Sequence, residues 1–297
     1  MSLRGEESRL CFQSLCAGPS DWEPSMNFET LKIDRDGPVL FVKISGPPMN
    51  LLGPEMVRDL VTLLSTAEAD DSIKVLVFKS ADRDYFISHV DVKQVKEYRE
   101  EAEKLTGEAS IAVLFRHLSN SRLVSIAQIE GRVRGAGSEF VLACDMRFAA
   151  RESAIFSQME VAFGLIPGGG AVQYLTRMMG RGRALEVMLG ALDYDADLAE
   201  RYGWVNRALP AAELDAFVSF LARRIAKFPS SGHTVVKNRV NDATLAPIED
   251  FRHDSNLFGE NVRRPEIQHR IGAAMARGFQ SQDGELELAR MLGTLDG

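Results

Sequence analysis

Two glutamates, each beside a glycine-rich loop, are the residues of this chain whose type and spacing point most directly to chemistry. Residues 132–140 read RVRGAGSEF, and Glu139 falls in the first turn of the helix expected to follow Gly137. Gly135 and Gly137 permit close approach of the backbone to a ligand. The start of that helix leaves N–H groups unpaired at the positive end of its dipole. Such a turn suits a developing oxyanion. Residues 163–175, FGLIPGGGAVQYL, form the second loop, with Gly168, Gly169 and Gly170 ahead of a helix beginning near Ala171. Glu160 precedes it, between Met159 and Val161 in an apolar stretch. Taken singly, Glu139 reads as a first-turn residue compensating the helix dipole, and Glu160 as an outward side chain on a loop or edge. Taken together, 21 positions apart, they form an acid/base couple able to take a proton and return one.

Other chemistries fit less well. A dinucleotide fingerprint would need glycine where Phe140 stands, and a nucleophile elbow around Ser138 would need glycine at Ala136 and Phe140. The second loop has no Lys-Ser or Lys-Thr pair, so it is not a phosphate-binding Walker loop, and its backbone is left to face a ligand or water. His89, His117, His233, His253 and His269 show no metal-ligand spacing, so no metal is expected.

The elements that must position these loops follow from periodicity. Residues 28–45 read as a hairpin turning at Asp36-Gly37, stopped by Pro47-Pro48. Met56, Leu60, Leu63 and Leu64 mark a helix after Pro54. Strands are expected over 73–80, 123–131 and 146–150, and helices over 109–119, 136–145, 195–204 and 214–228. Residues 92–107 form a charged helical stretch whose exposed face is expected to be solvated. Beyond about residue 229 the pattern is helical without strands. The division expected is an extension over 1–27, poorly ordered as termini commonly are, a strand-containing core over 28–228 and a helical region over 229–297.

Composition narrows the classes further. The chain has 297 residues, 35 Lys plus Arg against 42 Asp plus Glu, and a net charge of −7. That balance argues against nucleic-acid binding. No apolar run reaches membrane-spanning length, so no membrane association is expected. Residues 1–26 mix Arg4 and Arg9 with Glu6 and Glu7 and lack the apolar core of a secretory signal. Cys11, Cys16 and Cys144 have no C-x-x-C spacing, and a reducing, cytoplasmic setting is the simplest expectation.

Residues 135–175 carry, in order, a glycine loop, Glu139, a helix ending in Cys-Asp, a short strand, Phe-x-x-x-Glu and Gly-x-x-Pro-Gly. That order resembles the crotonase family, the enoyl-CoA hydratase/isomerase superfamily, and the likeness extends over roughly 28–280. Residues 85–95, YFISHVDVKQV, and 47–52, PPMNLL, resemble two further family segments. The resemblance implies an α/β fold, a crotonase-like spiral of repeated β-β-α units with a helical C-terminal region. It also implies an acyl-CoA thioester substrate, no cofactor beyond the coenzyme A which that substrate carries, and assembly as a homotrimer or homohexamer through the C-terminal helices. Carried over by position, the backbone N–H groups of Val90 and Ala136 form the oxyanion hole, and Glu139 and Glu160 handle water and proton. Gly135 and Gly168 border the site, Ser88, His89, Val90 and Asp91 lie along the CoA chain, and Phe279 lies near the acyl group. Two residues depart from the pattern. His89 replaces a glycine, so either the loop takes another path or the imidazole fills ligand space. Gln280 replaces a lysine that contacts a CoA phosphate, and Lys93 and Arg83 are the alternative sources of charge. Both glutamates being present favours hydration of a 2-enoyl-CoA. The rivals are isomerisation, other thioester-enolate chemistry such as decarboxylation, and acyl-CoA binding without catalysis.

Overall fold

The computed structural model describes residues 27–295. All but Asn27 of the expected extension, with Cys11 and Cys16, lies outside them. The first hairpin pairs β1 (Leu31–Asp36) with β2 (Val39–Ile44) antiparallel, Asp36 opposite Val39. Its two-residue turn is therefore Gly37-Pro38, one residue later than the dipeptide suggested. Gly37 takes a φ of +57°, which glycine tolerates freely.

From there the chain climbs in a spiral, each turn giving one strand to a large sheet and the next to a small one. After helix α1 (Pro54–Ala69), strand β3 (Val75–Ser80) joins the large sheet and β4 (Tyr85–Ile87) the small one. Helices α2 (Val95–Thr106) and α3 (Ile111–Asn120) close that turn. The next turn repeats the plan with β5 (Val124–Ile129), β6 (Arg132–Arg134) and α4 (Ala136–Ala143). The third has β7 (Met146–Ala150), β8 (Ile155–Ser157), a 3-10 turn over Glu160–Phe163 and α5 (Ala171–Gly190). Strand β9 (Tyr194–Asp195), α6 (Ala196–Tyr202) and β10 (Arg207–Leu209) complete the strand-bearing part. The large sheet runs β1-β2-β3-β5-β7-β10, parallel from β2 onward, and the small sheet runs β4-β6-β8-β9. Periodicity missed the small sheet because its strands are two or three residues long, too short to show alternation.

Burial follows from the layers. Strand β5 is buried along its whole length, as expected of a parallel strand covered on both faces. One face packs beneath α1, α3 and α4. The other packs on Leu214, Val218 and Ala222 of α7 (Ala211–Ala226). Helices α8 (Ser230–Thr244), α9 (Ile248–Asn261), α10 (Pro265–Ala276), α11 (Gln282–Leu286) and α12 (Leu288–Leu292) follow. A further apolar cluster joins Phe258, Ile271, Phe279 and Leu292 of this region to Met159, Phe163 and Leu165 around the 3-10 turn. Among the described residues no helix is long and apolar enough to cross a membrane.

Candidate active site

Helix α4 is apolar almost throughout, and all eight of its residues are buried. Its N-terminus therefore lies inside the protein, where unpaired N–H groups are costly. Glycine at position 137 is what allows this. A Cβ there would stand 2.1 Å from the Ile87 carbonyl oxygen, so α4 can approach β4 only without one. The first intrahelical bond recorded for this turn is donated by Glu139 N–H to Gly135. The N–H of Ala136, at the first helical position, has no acceptor among the described residues. Val90 lies in the loop after β4. That loop is pinned by Leu52 N–H donating to His89 O (2.8 Å) and Asp91 N–H donating to Leu52 O (3.1 Å). The Val90 N–H takes no part in the pairing, and Val90 and Ala136 line one cavity.

The same cavity receives both glutamates. Glu139 Oε1 accepts from the N–H groups of Gly169 (2.7 Å) and Ala171 (3.0 Å). The second glycine loop thus turns its amides onto the carboxylate of the first loop, where the sequence suggested a ligand or water. A Cβ at position 169 would lie 2.4 Å from Glu139 Oε2, so a side chain there would push this carboxylate aside. Glu160 opens the 3-10 turn, and its Oε2 accepts from Gln158 Nε2 at 3.0 Å. Glu160 is 9% exposed, which corrects the outward side chain that its local sequence suggests. Gly135, at φ +49°, lies against it: a Cβ there would come within 2.9 Å of Glu160 Oε1.

Burial raises both carboxyls. It pushes Glu139 up to about 8, with the charge of Glu160 adding to the effect. Burial likewise pushes Glu160 up to about 7, although hydrogen bonds from the backbone and from Gln158 work against it. Near neutral pH the pair therefore holds protons that exposed carboxyls would have lost, and it titrates as one system.

His89 settles the question raised by its replacement of glycine. Its φ is not positive, so the loop needs no glycine-like conformation. The imidazole is buried and stacks on Phe279, ring centroids 4.6 Å apart. Both residues line the cavity, so the ring forms part of its wall. His89 Nδ1 lies 2.8 Å from the Val90 carbonyl oxygen and Nε2 lies 2.9 Å from Glu285 Oε1. Gln280, at φ +64°, also turns inward and donates from Nε2 to the Val90 carbonyl at 3.2 Å. Its amide is thus committed to the loop. Glu285 is fully buried. Burial works to raise its pKa, but His89 and Arg134 outweigh that and hold it below the usual carboxylate range. Arg134 donates to Glu285 Oε2 (3.3 Å) and reaches both oxygens of Asp193 (2.9 and 2.7 Å).

Of the other residues carried over by position, Gly168 and Phe279 line the cavity. Ser88 and Asp91 do not. The Ser88 hydroxyl donates to Met49 O at 2.5 Å, and Asp91 accepts from Lys93 N–H and Gln94 Nε2. Sequence reasoning missed the wall contributed by α2, where Tyr98 and Arg99 line the cavity. The only signal was Tyr98 with Ala102 at helical spacing, both buried, inside the stretch expected to be solvated. It also missed Glu285 and Asp193, which lie far along the chain from the loops they brace.

Comparison with known proteins agrees with this geometry. A family model described as enoyl-CoA hydratase/isomerase matches residues 34–279. A probable enoyl-CoA hydratase of Rhizobium meliloti is 30% identical over 256 residues, 85% of this chain and 97% of the relative. A short-chain-enoyl-CoA hydratase of Clostridium acetobutylicum is 27% identical, over 79% of this chain and 90% of the relative. Among solved structures, a putative enoyl-CoA hydratase from Streptomyces avermitilis is 49% identical. It superposes with a TM-score of 0.89 over 92% of this chain and all of that one.

Proposed function

The chain belongs to the enoyl-CoA hydratase/isomerase family, with the crotonase fold, and from that membership we propose that it hydrates a 2-enoyl-CoA to a 3-hydroxyacyl-CoA. The observation that carries this reading is the pair of buried carboxyls, Glu139 and Glu160, in one cavity that Val90 and Ala136 also line.

In this mechanism the thioester carbonyl oxygen sits between the N–H groups of Val90 and Ala136, with the positive end of the α4 dipole behind it. Charge that builds on that oxygen as an enolate forms is met by donors already in place. One such donor is worth roughly 10²–10³ in rate. A water held by the two carboxyls attacks Cβ. The ionised member of the pair takes a proton from that water as the C–O bond forms, and the protonated member delivers one to Cα. A pair with raised pKa values can offer one acid and one base together near neutral pH. Glu139, with Oε1 tied to Gly169 and Ala171, is held in place and has Oε2 left to act. The reaction needs no cofactor besides the CoA carried by the substrate. The C-terminal helices are proposed to join copies of the chain into a trimer or a pair of trimers. Supporting this, α8 buries only Lys237 and exposes Val235, Val236 and Val240.

The test is turnover of crotonyl-CoA, read as loss of the conjugated thioester absorbance, beside a 3-enoyl-CoA of equal length. Hydration of the first without conversion of the second is expected. Conversion of the 3-enoyl thioester alone would replace hydration by isomerisation.

A further inference from the structure

The cavity wall supplied by α2 holds two polar groups that hydration leaves unused. Tyr98 is 1% exposed and its Oη has no hydrogen-bond partner. An unpaired buried hydroxyl bears its desolvation penalty uncompensated, so one retained in a binding cavity calls for a partner from outside the chain. Burial raises its pKa above the ordinary value, with Arg99 working against this, so the group is a donor at neutral pH. It does not spend that proton on Glu139 or Glu160, although both carboxylates act on it electrostatically.

Arg99, next in sequence, lines the same cavity. Its Nη1 donates to the Ser255 carbonyl (3.0 Å) and hydroxyl (2.9 Å). Among the described residues no carboxylate pairs with it. Burial lowers its pKa, and the other ionisable groups acting on it are Tyr98 and the equally positive Arg263. A half-buried guanidinium normally finds an anion, and its fork of donors matches a carboxylate. Elsewhere the cavity is lined mostly by apolar residues, among them Ile111, Met159, Phe163, Leu165 and Phe258, its carboxyls being those of Glu139 and Glu160. The apolar lining favours a methylene chain, and neither glutamate pairs with Arg99.

We propose that the acyl group received by this cavity ends in a carboxylate, accepted by the Tyr98 hydroxyl and the Arg99 guanidinium. The substrate would then be the CoA thioester of an unsaturated dicarboxylic acid. This rests on the thioester reading above and adds the nature of the distal end.

The experiment separates the two readings by measuring binding of inert, saturated thioesters. Matched pairs are titrated by calorimetry: butyryl- with succinyl-CoA, hexanoyl- with adipoyl-CoA, and octanoyl- with suberoyl-CoA. At one length the carboxylated member is expected to bind at least about tenfold more tightly, the effect of a single charge-assisted hydrogen bond. Tyr98→Phe and Arg99→Met are each expected to cut that ratio about fivefold or more, while Arg99→Lys keeps part of it. The neutral thioester in each titration reports whether the variant's pocket is folded. A neutral member that binds more tightly at every length, or a ratio unchanged in both Tyr98→Phe and Arg99→Met, would overturn the proposal. Preference for the carboxylated thioester without turnover of any 2-enoyl-CoA would remove the hydratase reading and leave this one standing. Hydration of neutral 2-enoyl thioesters with no carboxylate preference would do the reverse.

Discussion

Replacing Glu160 by glutamine should flatten the pH dependence of stability, and the structure gives both sign and size. A carboxyl whose native pKa lies above its unfolded value binds its proton more tightly in the folded chain. Its contribution to stability is whole below the unfolded value and is lost as pH rises through the native one. Glu160 moves from 4.5 to about 7, roughly 2.5 units, and each unit is worth about 1.4 kcal/mol. Carrying this one group from pH 4.5 past pH 7 therefore removes about 3 kcal/mol of stability. Glu139, raised from 4.5 to about 8 chiefly by burial, adds a decline of similar order that reaches one pH unit further. Wild-type protein should thus lose several kcal/mol of unfolding free energy between pH 5 and pH 8. Glu160→Gln keeps the shape and the contact with Gln158 but cannot ionise, so one of the two declines disappears. The Glu139 pKa should also fall, since the charge of Glu160 is part of what raises it. The double change Glu139→Gln/Glu160→Gln should leave a nearly level profile over this range. Urea unfolding at half-unit pH steps and fixed protein concentration measures it, because subunit association is linked to stability. Wild-type stability that is flat or rising from pH 5 to 8 would refute the reasoning. So would a Glu160→Gln variant that keeps the full wild-type slope.

For catalysis, Glu139→Gln and Glu160→Gln should each lower kcat about 10²-fold or more with little change in CoA-thioester binding, measured by steady-state kinetics and calorimetry. The double variant should lose much less than the product of the two, because both act on one water; an intact Glu160→Gln beside a dead Glu139→Gln would point to a single-base isomerase. Ala136→Pro removes an oxyanion donor and should reduce turnover at least about 10²-fold relative to Ala136→Ser, read as kcat at matched thermal stability. Light scattering at micromolar concentration should give a mass of three or six chains, and a monodisperse monomer would exclude the proposed role of the C-terminal helices.

The sequence by itself marked five of the six strands of the large sheet, all but β10, with most long helices and the two glutamates that meet in the cavity, because these features are local. Strands such as β5 are continuous apolar runs, and α7 and α1 carry their apolar faces at helical spacing. The motif around Gly135, Gly137 and Glu139 is legible because closely spaced glycines between an apolar strand and a helix mark a tight turn, although what makes glycine necessary at 137 is the Ile87 carbonyl, 50 residues earlier. Tertiary structure alone decided the rest. Glu160 looks like an edge residue until folding buries it, with Gly135 against its carboxylate and residues of α9 and α10 packed on Met159 and Phe163 to either side. The second glycine loop reads as a ligand cradle until folding brings Gly169 and Ala171 onto Glu139, 30 and 32 residues earlier. His89 reads as a disruption of its loop until α11, 196 residues on, supplies Glu285 to hold it. Tyr98 lies in a stretch of charge, and only the packing of α2 on α1 and α3 turns it into the cavity. In each case the deciding partner is distant in sequence. Burial, the sharing of protons between carboxyls and the pairing of buried polar groups are properties of what surrounds a residue in space, and local periodicity carries no record of them.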